Sequence, residues 1–435
     1  MSAATLAAIQ TTREMAEAAK RASRWLATLS EGERNAALEA MAAGLEAAAP
    51  ALLAANAEDM RVANQLSGED RLPQATLDRL KLDAAKLREM VAQVRAVAAL
   101  PDPLGRTLDA IEMDEQLNLQ KISVPLGVLA VIFEARPDAV TQIASLALKS
   151  GNAVLLKPGK EVERTAVALV EVLKSALGAH TDALSLALGR ERIAELLQMN
   201  DLVDMVIPRG SSALVRYVQQ NTSIPVLGHA EGICHIYVDA KADQRMAVEI
   251  ILDAKTDYPA ACNSVETVLI HRAIAADFLP KLAVALEAQG VRIHAEAEVR
   301  RVVPSALPVE AWHTEYGCAE ISVGLVDSLE QAIEHIHRHG SVHTETIVTE
   351  DVSAAERFLL EVDAASVMHN ASTRFADGFR YGFGAEVGVS TSKFHARGPV
   401  GLEGLTTYKY LLRGHGQTVG PYRTEGKAFT HRRTA

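Results

Sequence analysis

The chain has 435 residues, 49% of them hydrophobic, with 44 Lys+Arg against 55 Asp+Glu and a formal net charge of −11. That length implies two or three domains with sizeable cores, and the acidity leaves no electrostatic footprint for nucleic acid. The longest apolar run, Val124 to Phe133, is interrupted by Pro125 and Gly127 and is too short to span a membrane, the first residues lack the basic start and apolar core of a signal peptide, and the three widely spaced cysteines are no disulfide framework. A reducing, cytoplasmic setting is therefore the expectation, with no membrane and no nucleic acid as partner.

The N-terminal part repeats apolar residues at helical steps (Leu38, Met41, Leu45, then Leu52, Leu53), which predicts helices with one buried stripe. Between Arg106 and Val124 the residues Leu108, Ile111, Met113, Leu117, Leu119, Ile122 and Val124 alternate loosely with polar ones, the pattern of an antiparallel hairpin that needs a partner surface. Gly127 to Phe133 is continuously apolar and reads as a strand buried on both faces. A helix over Thr141 to Lys149, a strand over Ala153 to Leu156, a helix over Thr165 to Leu177 and a strand between Leu202 and Ile207 follow. This alternation predicts a doubly wound parallel sheet, whose ligands sit beyond the C-terminal ends of the strands. After Pro225 the pattern restarts with strands at Cys234 to Val238, Val265 to Ile270, Ile321 to Val326 and Thr346 to Val348, and helices at Leu279 to Leu286 and Leu329 to His337. A second α/β unit is expected there, with the boundary near residue 228.

Five segments invite chemistry. Lys157-Pro158-Gly159-Lys160 leaves a predicted strand at its C-terminal end, where two lysines suit an anionic group or form a plain solvated loop. Gly210-Ser211 opens a helix and can offer backbone N–H groups to phosphate, or is an ordinary helix start. Cys262 lies in a turn-like stretch, Asp257-Tyr-Pro-Ala-Ala-Cys-Asn-Ser264, which suits an exposed thiol. Cys234 and Cys318 lie in or beside strand-like runs and are expected to be buried and inert. His335, His337, His339 and His343 crowd one place, but alternate positions on a helix point different ways, so no metal is expected. The stretch from His369 to Lys409 is rich in glycine and in Arg374, Asp377, Glu386, Lys393, His395 and Arg397, either a long solvated loop or a binding loop.

Several stretches carry a family resemblance that covers nearly the whole chain: Val124-Pro-Leu-Gly-Val128, Phe133-Glu-Ala-Arg-Pro137, Gly151-Asn-Ala-Val-Leu-Leu-Lys-Pro-Gly159, Asp257-Tyr-Pro-Ala-Ala-Cys-Asn263, the histidine run from Ala332 to Glu345, and Ser390-Thr-Ser-Lys-Phe-His-Ala-Arg-Gly-Pro399. In these the chain resembles the gamma-glutamyl phosphate reductases of the aldehyde dehydrogenase superfamily. The resemblance implies an aldehyde dehydrogenase-like α/β fold: a Rossmann-like NADP-binding domain (1–105 and 125–228), a catalytic domain (229–395), and an oligomerisation hairpin with C-terminal segment (106–124 and 396–435). The hairpin and the strand near Leu405 to Leu412 are expected to pair across a subunit interface.

It further implies that Cys262 is the nucleophile, with its own N–H and Asn263 holding the oxyanion, and that Lys157, Pro158, Lys160, Gly210, Ser211 and Glu315 contact NADP(H). His229, in Gly228-His-Ala-Glu-Gly232, stands where oxidising relatives carry the glutamate that activates water, and Ala135 or its neighbour stands where they carry an oxyanion-holding asparagine. Lys160 replaces the acidic residue of NAD-preferring relatives. The implied reaction is NADPH-dependent reduction of gamma-glutamyl phosphate in proline biosynthesis, in a homo-oligomer that can work beside glutamate 5-kinase. Substrate charges would be met by Arg136, Arg374, Asp377, Glu386, His395 and Arg397. The rival readings are a hydrolysing aldehyde dehydrogenase and a non-catalytic protein of the same fold.

Overall fold

The computed structural model describes residues 11–66 and 72–434. Two compact units emerge: residues 1–227, 383–388 and 400–435 form the first, and 228–382 with 389–399 the second.

The first unit opens with helices whose starts are written in the sequence. Thr11 with Glu14 and Ser30 with Glu33 form reciprocal capping boxes at Thr12–Leu26 and Glu31–Ala47. Behind them lies a four-stranded parallel sheet in the order Leu184–Leu186, Ala153–Pro158, Val128–Phe133, Met205–Arg209. Every residue of Val128–Phe133 and Ala153–Pro158 is buried, which is why both read as unbroken apolar runs. The chain steps outward on one side of Val128–Phe133 and then returns to its other side. The switch point therefore lies beyond the C-terminal ends of Val128–Phe133 and Met205–Arg209, where doubly wound sheets bind ligands. Helix Pro137–Lys149 starts four residues before the predicted Thr141, because Pro137 fits the first turn, where its missing N–H costs nothing. Asp204 locks the sheet's opposite end by accepting the Val128 N–H at 2.8 Å and both hydrogen bonds from Lys20. A side chain on Gly127 (φ +131°) would meet that carboxylate at 2.2 Å.

The predicted hairpin forms from Thr107–Asp114 and Leu117–Pro125, with Gln116 at φ 57° in its turn. The expectation of pairing across subunits needs correction. Thr406–Arg413 runs antiparallel to Leu117–Pro125 of the same chain, from Thr406 opposite Pro125 to Arg413 opposite Asn118. Arg432–Arg433 closes part of the far edge. The long edge that stays unpaired is Thr406–Arg413 itself, with Tyr408, Tyr410 and Leu412 exposed.

The second unit is a seven-stranded parallel sheet in the order Leu307–Pro308, Arg292–Ala295, Glu320–Val326, Val265–His271, Cys234–Val238, Thr344–Val348, Ser366–His369. Ile236 and Val238 pack with Ile251 and Phe278 from helices Gln244–Thr256 and Arg272–Ala288. Tyr237, between them in sequence, packs with Ile333, Ile336 and Phe358 from Leu329–His339 and Val352–Glu361. The period-two alternation of a strand thus sorts its side chains to two helical layers. Among the described residues no single helix is long and apolar enough to cross a membrane.

Candidate active site

In the second unit the loops that enter the strands at their amino ends carry the reactive groups. Cys234 begins its strand, Cys262 lies three residues before Val265, His343 directly precedes Thr344, and Glu315 to Cys318 precede Glu320. Since these strands are parallel, all four loops meet at one edge of the sheet. Helix Gln244–Thr256 brings the chain back to that edge, and the turn Asp257 to Ser264 is closed by Ala261 N–H to Tyr258 O (3.1 Å) and Ser264 N–H to Ala261 O (2.9 Å). Cys262 sits half-buried inside it, and its own N–H has no partner among the described residues.

Three neighbours define the thiol's surroundings. Gly232 packs so closely that a Cβ there would lie 2.0 Å from the Cys262 carbonyl oxygen, and its N–H donates to the Glu315 carboxylate. The Cys234 thiol donates to the same Cys262 carbonyl at 3.3 Å. His229 donates Nδ1–H to Val389 O at 2.8 Å, which fixes the ring's tautomer and leaves Nε2 as a lone-pair site when the ring is neutral. His343, fully buried, meets the His229 ring edge-on at 4.7 Å between centroids, with its Nδ1 2.9 Å from Thr344 Oγ1. One coordinating atom from each of His229, Cys262 and His343 lies within 4.8 Å of the other two. His343 was not singled out by sequence as a neighbour of the cysteine.

The other cysteines separate cleanly. Cys234 is buried, and burial pushes its thiol well above the usual range. Cys318 departs from expectation: it stands in the loop two residues short of Glu320–Val326 and is exposed. Desolvation, and then the Glu320 carboxylate, hold its thiol above the usual range and disfavour the thiolate.

Asn263, next to Cys262, is buried with both ends of its amide engaged. Its Nδ2 donates to Ala376 O (2.9 Å) and reaches Arg374 O (3.5 Å), and its Oδ1 accepts from the Arg374 guanidinium. Arg374 also donates Nε–H to Asp257 Oδ2 at 3.0 Å. The structure thus brings Asp257, Asn263 and Arg374 together as a clamp on the Cys262 turn. Asp377 spends Oδ1 on the N–H groups of Phe379 and Arg380. Arg397 is different: Nη1 donates to Asp363 at 2.8 Å, while its Nε and Nη2 are buried without a partner among the described residues. His395, exposed and at φ 71°, precedes it by two residues. Arg136 and Glu386 belong to the first unit.

In the first unit the candidate cofactor residues gather at the C-terminal edge of the parallel sheet. Lys157 is buried in its strand, donates only to Pro158 O among the described residues, and is pushed by desolvation below the usual lysine range. Exposed Lys160 lines a cavity of about 720 Å³ whose wall also carries Arg164, paired with Asp59, the carboxylates of Glu161 and Glu163, and the apolar Val62, Ala63, Val167 and Leu188. That volume and mixed lining suit one end of a dinucleotide. Arg164 is a cation that sequence reading passed over. The Gly210-Ser211 turn already holds an anion of its own, because Glu134 Oε2 accepts the Ser211 N–H at 2.8 Å, and a Cβ on Gly210 would meet that oxygen at 2.4 Å. Similarly, the Glu161 carboxylate lies over Gly159 and accepts the Ala135 N–H at 2.6 Å. A buried lysine with unspent N–H groups and a cavity of mixed lining fit a nicotinamide dinucleotide, while the helix start at Ser211 is already taken by the Glu134 carboxylate.

Residues 2–300 match the profile of the Aldehyde dehydrogenase family. Over 422 residues the chain is 52% identical to Gamma-glutamyl phosphate reductase 1 of Synechocystis sp., covering 96% of both proteins. It is 54% identical over 424 residues to Gamma-glutamyl phosphate reductase of Cyanothece sp., covering 96% of this chain and 97% of that one. The crystal structure of Gamma-glutamyl phosphate reductase from Thermotoga maritima matches with a TM-score of 0.90 at 36% identity, covering 94% of this chain and 100% of that one. An acetylating aldehyde dehydrogenase from Geobacillus thermoglucosidasius, 18% identical with a TM-score of 0.66, shares the fold over 94% of this chain and 97% of its own. With the family profile, the near-complete coverage and the shared fold in agreement, the chain belongs to the gamma-glutamyl phosphate reductases of the aldehyde dehydrogenase family.

Proposed function

We propose that the chain reduces gamma-glutamyl phosphate to glutamate 5-semialdehyde with release of phosphate, through a thioester on Cys262 and with NADPH as reductant. The observation that carries this reading is the setting of Cys262: a half-buried turn thiol with an unpartnered N–H and an imidazole whose Nδ1 is anchored elsewhere. His229 Nε2 takes the thiol proton, and the thiolate attacks the acyl carbon. The C–S bond forms as the bond to phosphate breaks, and the Cys262 N–H receives the developing oxyanion. NADPH, when bound, supplies the hydride that reduces the thioester. The resulting hemithioacetal collapses, expelling the Cys262 thiolate and freeing the aldehyde. At His229 the hydrolysing relatives' carboxylate is missing, so the thioester is directed to hydride or phosphate rather than water.

Lys157, Lys160 and Arg164 supply positive charge for the cofactor's phosphates, with Pro158, Gly210, Ser211 and Glu315 as further contacts, and the extra phosphate of NADPH goes to the cavity that Lys160 lines. Arg397 holds an anionic end of the substrate through the paired N–H groups it has to spare, and Arg136 serves the other end. Asp377, Glu386 or His395 meets the remaining polar group, while Arg374 and Asn263 position the Cys262 turn. The reaction belongs to proline biosynthesis in the cytoplasm, in a homo-oligomer that can draw its unstable acyl phosphate from glutamate 5-kinase.

The test is the reverse reaction, reduction of NADP by glutamate 5-semialdehyde with and without phosphate. Strict dependence on phosphate is expected, and Arg397→Lys should raise KM for phosphate or semialdehyde roughly tenfold with little change for NADP. Equal rates without phosphate would make the chain a hydrolysing dehydrogenase instead.

A further inference from the structure

The histidine run Ala332 to Glu345 divides in the folded chain. His335 and His339 lie four residues apart on helix Leu329–His339 with their rings tilted, His335 Nε2 is buried without a hydrogen-bond partner among the described residues but lies amid the rings of His235, Trp312 and His339, and His337 Nε2 accepts the Asp363 N–H. His343 lies past the helix, and its Nε2 is sealed from solvent with no hydrogen-bond partner among the described residues. A buried ring nitrogen left unsatisfied carries an uncompensated desolvation cost, which a bound ligand would remove. The His343 ring lies against two thiols and a second imidazole: its Nδ1 is 3.7 Å from the buried Cys234 Sγ, and it clusters with the Cys262 thiol and the His229 ring. Both imidazoles have their Nδ1 engaged, on Val389 O and Thr344 Oγ1, so the nitrogen that each ring has left is Nε2.

We propose that His229, Cys262 and His343 form a binding site for a borderline-soft divalent cation of the zinc class. Two neutral imidazoles and one thiolate are ligands that zinc prefers, and three protein ligands leave its fourth tetrahedral position open. The coordinating atoms, within 4.8 Å of one another, must close to roughly 3.3–3.6 Å around a zinc ion. The movement falls on Cys262, which sits in a half-buried turn, while His343 is held in a full core. Each His ring is already oriented through its other nitrogen, the support that metal-binding imidazoles characteristically have. On binding, the Cys262 S–H proton is lost to solvent and the sulfur becomes a metal-bound thiolate. The site itself stands on geometry. The consequence for turnover rests on the proposed role of Cys262: a sulfur held by the cation cannot attack an acyl phosphate, so zinc blocks the reaction reversibly.

Cobalt is the spectroscopic probe. Titrating the full chain with Co²⁺ should give one site with a thiolate-to-cobalt charge-transfer band and the strong visible bands of tetrahedral cobalt, both erased by Zn²⁺. Cys262→Ser should abolish the charge-transfer band, His343→Gln should weaken cobalt binding more than about tenfold, and Cys318→Ser should change neither. In the unmodified chain, Zn²⁺ should slow iodoacetamide labelling of Cys262 at least about tenfold while leaving Cys318 labelling unchanged, a readout that needs no variant to fold. A charge-transfer band that survives Cys262→Ser, cobalt affinity indifferent to His343→Gln, or unprotected Cys262 labelling would each overturn the site. Turnover retained by Cys262→Ser would overturn the proposed mechanism instead and leave the cobalt result standing.

Discussion

Gly232 admits no side chain, since a Cβ would lie 2.0 Å from the Cys262 carbonyl oxygen and 2.7 Å from its Cα. Those are backbone atoms and cannot swing aside, so Gly232→Ala should displace Cys262, the proposed nucleophile. A shift of about 1 Å at a reacting group costs roughly a hundredfold in rate. We expect kcat to fall by about that factor while NADP binding, read by fluorescence titration, stays as it was; an unchanged kcat would place the thiol elsewhere. Cys262 itself was legible in the sequence because its turn is contiguous and marked by Pro259 and Asn263. His343 was hidden in a run of histidines, because what sets it apart is contact with loops distant in sequence. Arg374 was legible as a charged loop residue, but its bonds to Asp257 and Asn263 were not, since charge alone does not tell a substrate clamp from a loop clamp. Asp257 pays for that position little: Arg380 and then Arg374 hold its carboxyl below the usual range.

Helix Ser212–Gln220 receives the Glu134 carboxylate at its first turn, on the Ser211 N–H, where a cofactor phosphate would otherwise find a donor. Glu134→Gln removes the competing charge and should tighten NADPH about tenfold, measured by direct titration; weaker binding would mean that Glu134 itself holds the cofactor. Lys160→Glu should shift preference toward NADH by ~1–2 kcal/mol, and an unchanged ratio of the two cofactors would show that Lys160 does not meet the extra phosphate. On helix Leu329–His339, His335 is half-buried against Trp312, and desolvation, then His235 and His339, depress its pKa from 6.5 to about 3. The unfolded chain therefore takes up this proton below pH 6.5 while the folded chain resists it. The associated stability is complete above pH 6.5 and is lost as pH falls toward 3. His335→Gln should flatten urea-melting stability between pH 6.5 and 4 by a few kcal/mol at most; identical slopes would refute the assignment. Long strands buried on two faces were readable as elements, whereas Leu184–Leu186 is too short to show a period. Helix Arg272–Ala288 was expected only over Leu279 to Leu286 and begins seven residues earlier, with Ala275, Phe278, Leu279 and Leu282 on its buried side.

For the whole molecule, the division into two α/β units was readable because hydrophobic periodicity restarts after Pro225, but the return of residues 383–388 and 400–435 to the first unit was not, since that depends on long-range pairing. The strand Thr406–Arg413 presents an unpaired edge with Tyr408, Tyr410 and Leu412 exposed. Such an edge invites pairing with another chain, and a second copy is the occupant that the proposed homo-oligomer requires. Tyr410→Lys with Leu412→Lys should lower the assembly state by sedimentation at micromolar concentration; a monomeric parent chain would contradict the proposal outright. The central claim is that acyl transfer passes through Cys262 and waits for phosphate. Rapid mixing of the enzyme with NADP and glutamate 5-semialdehyde, without phosphate, tests it directly. The account predicts a burst of one NADPH per chain, arrest at the thioester, resumed turnover when phosphate is added, and no burst in Cys262→Ser. Steady NADPH formation without phosphate, or an undiminished burst in Cys262→Ser, would contradict it.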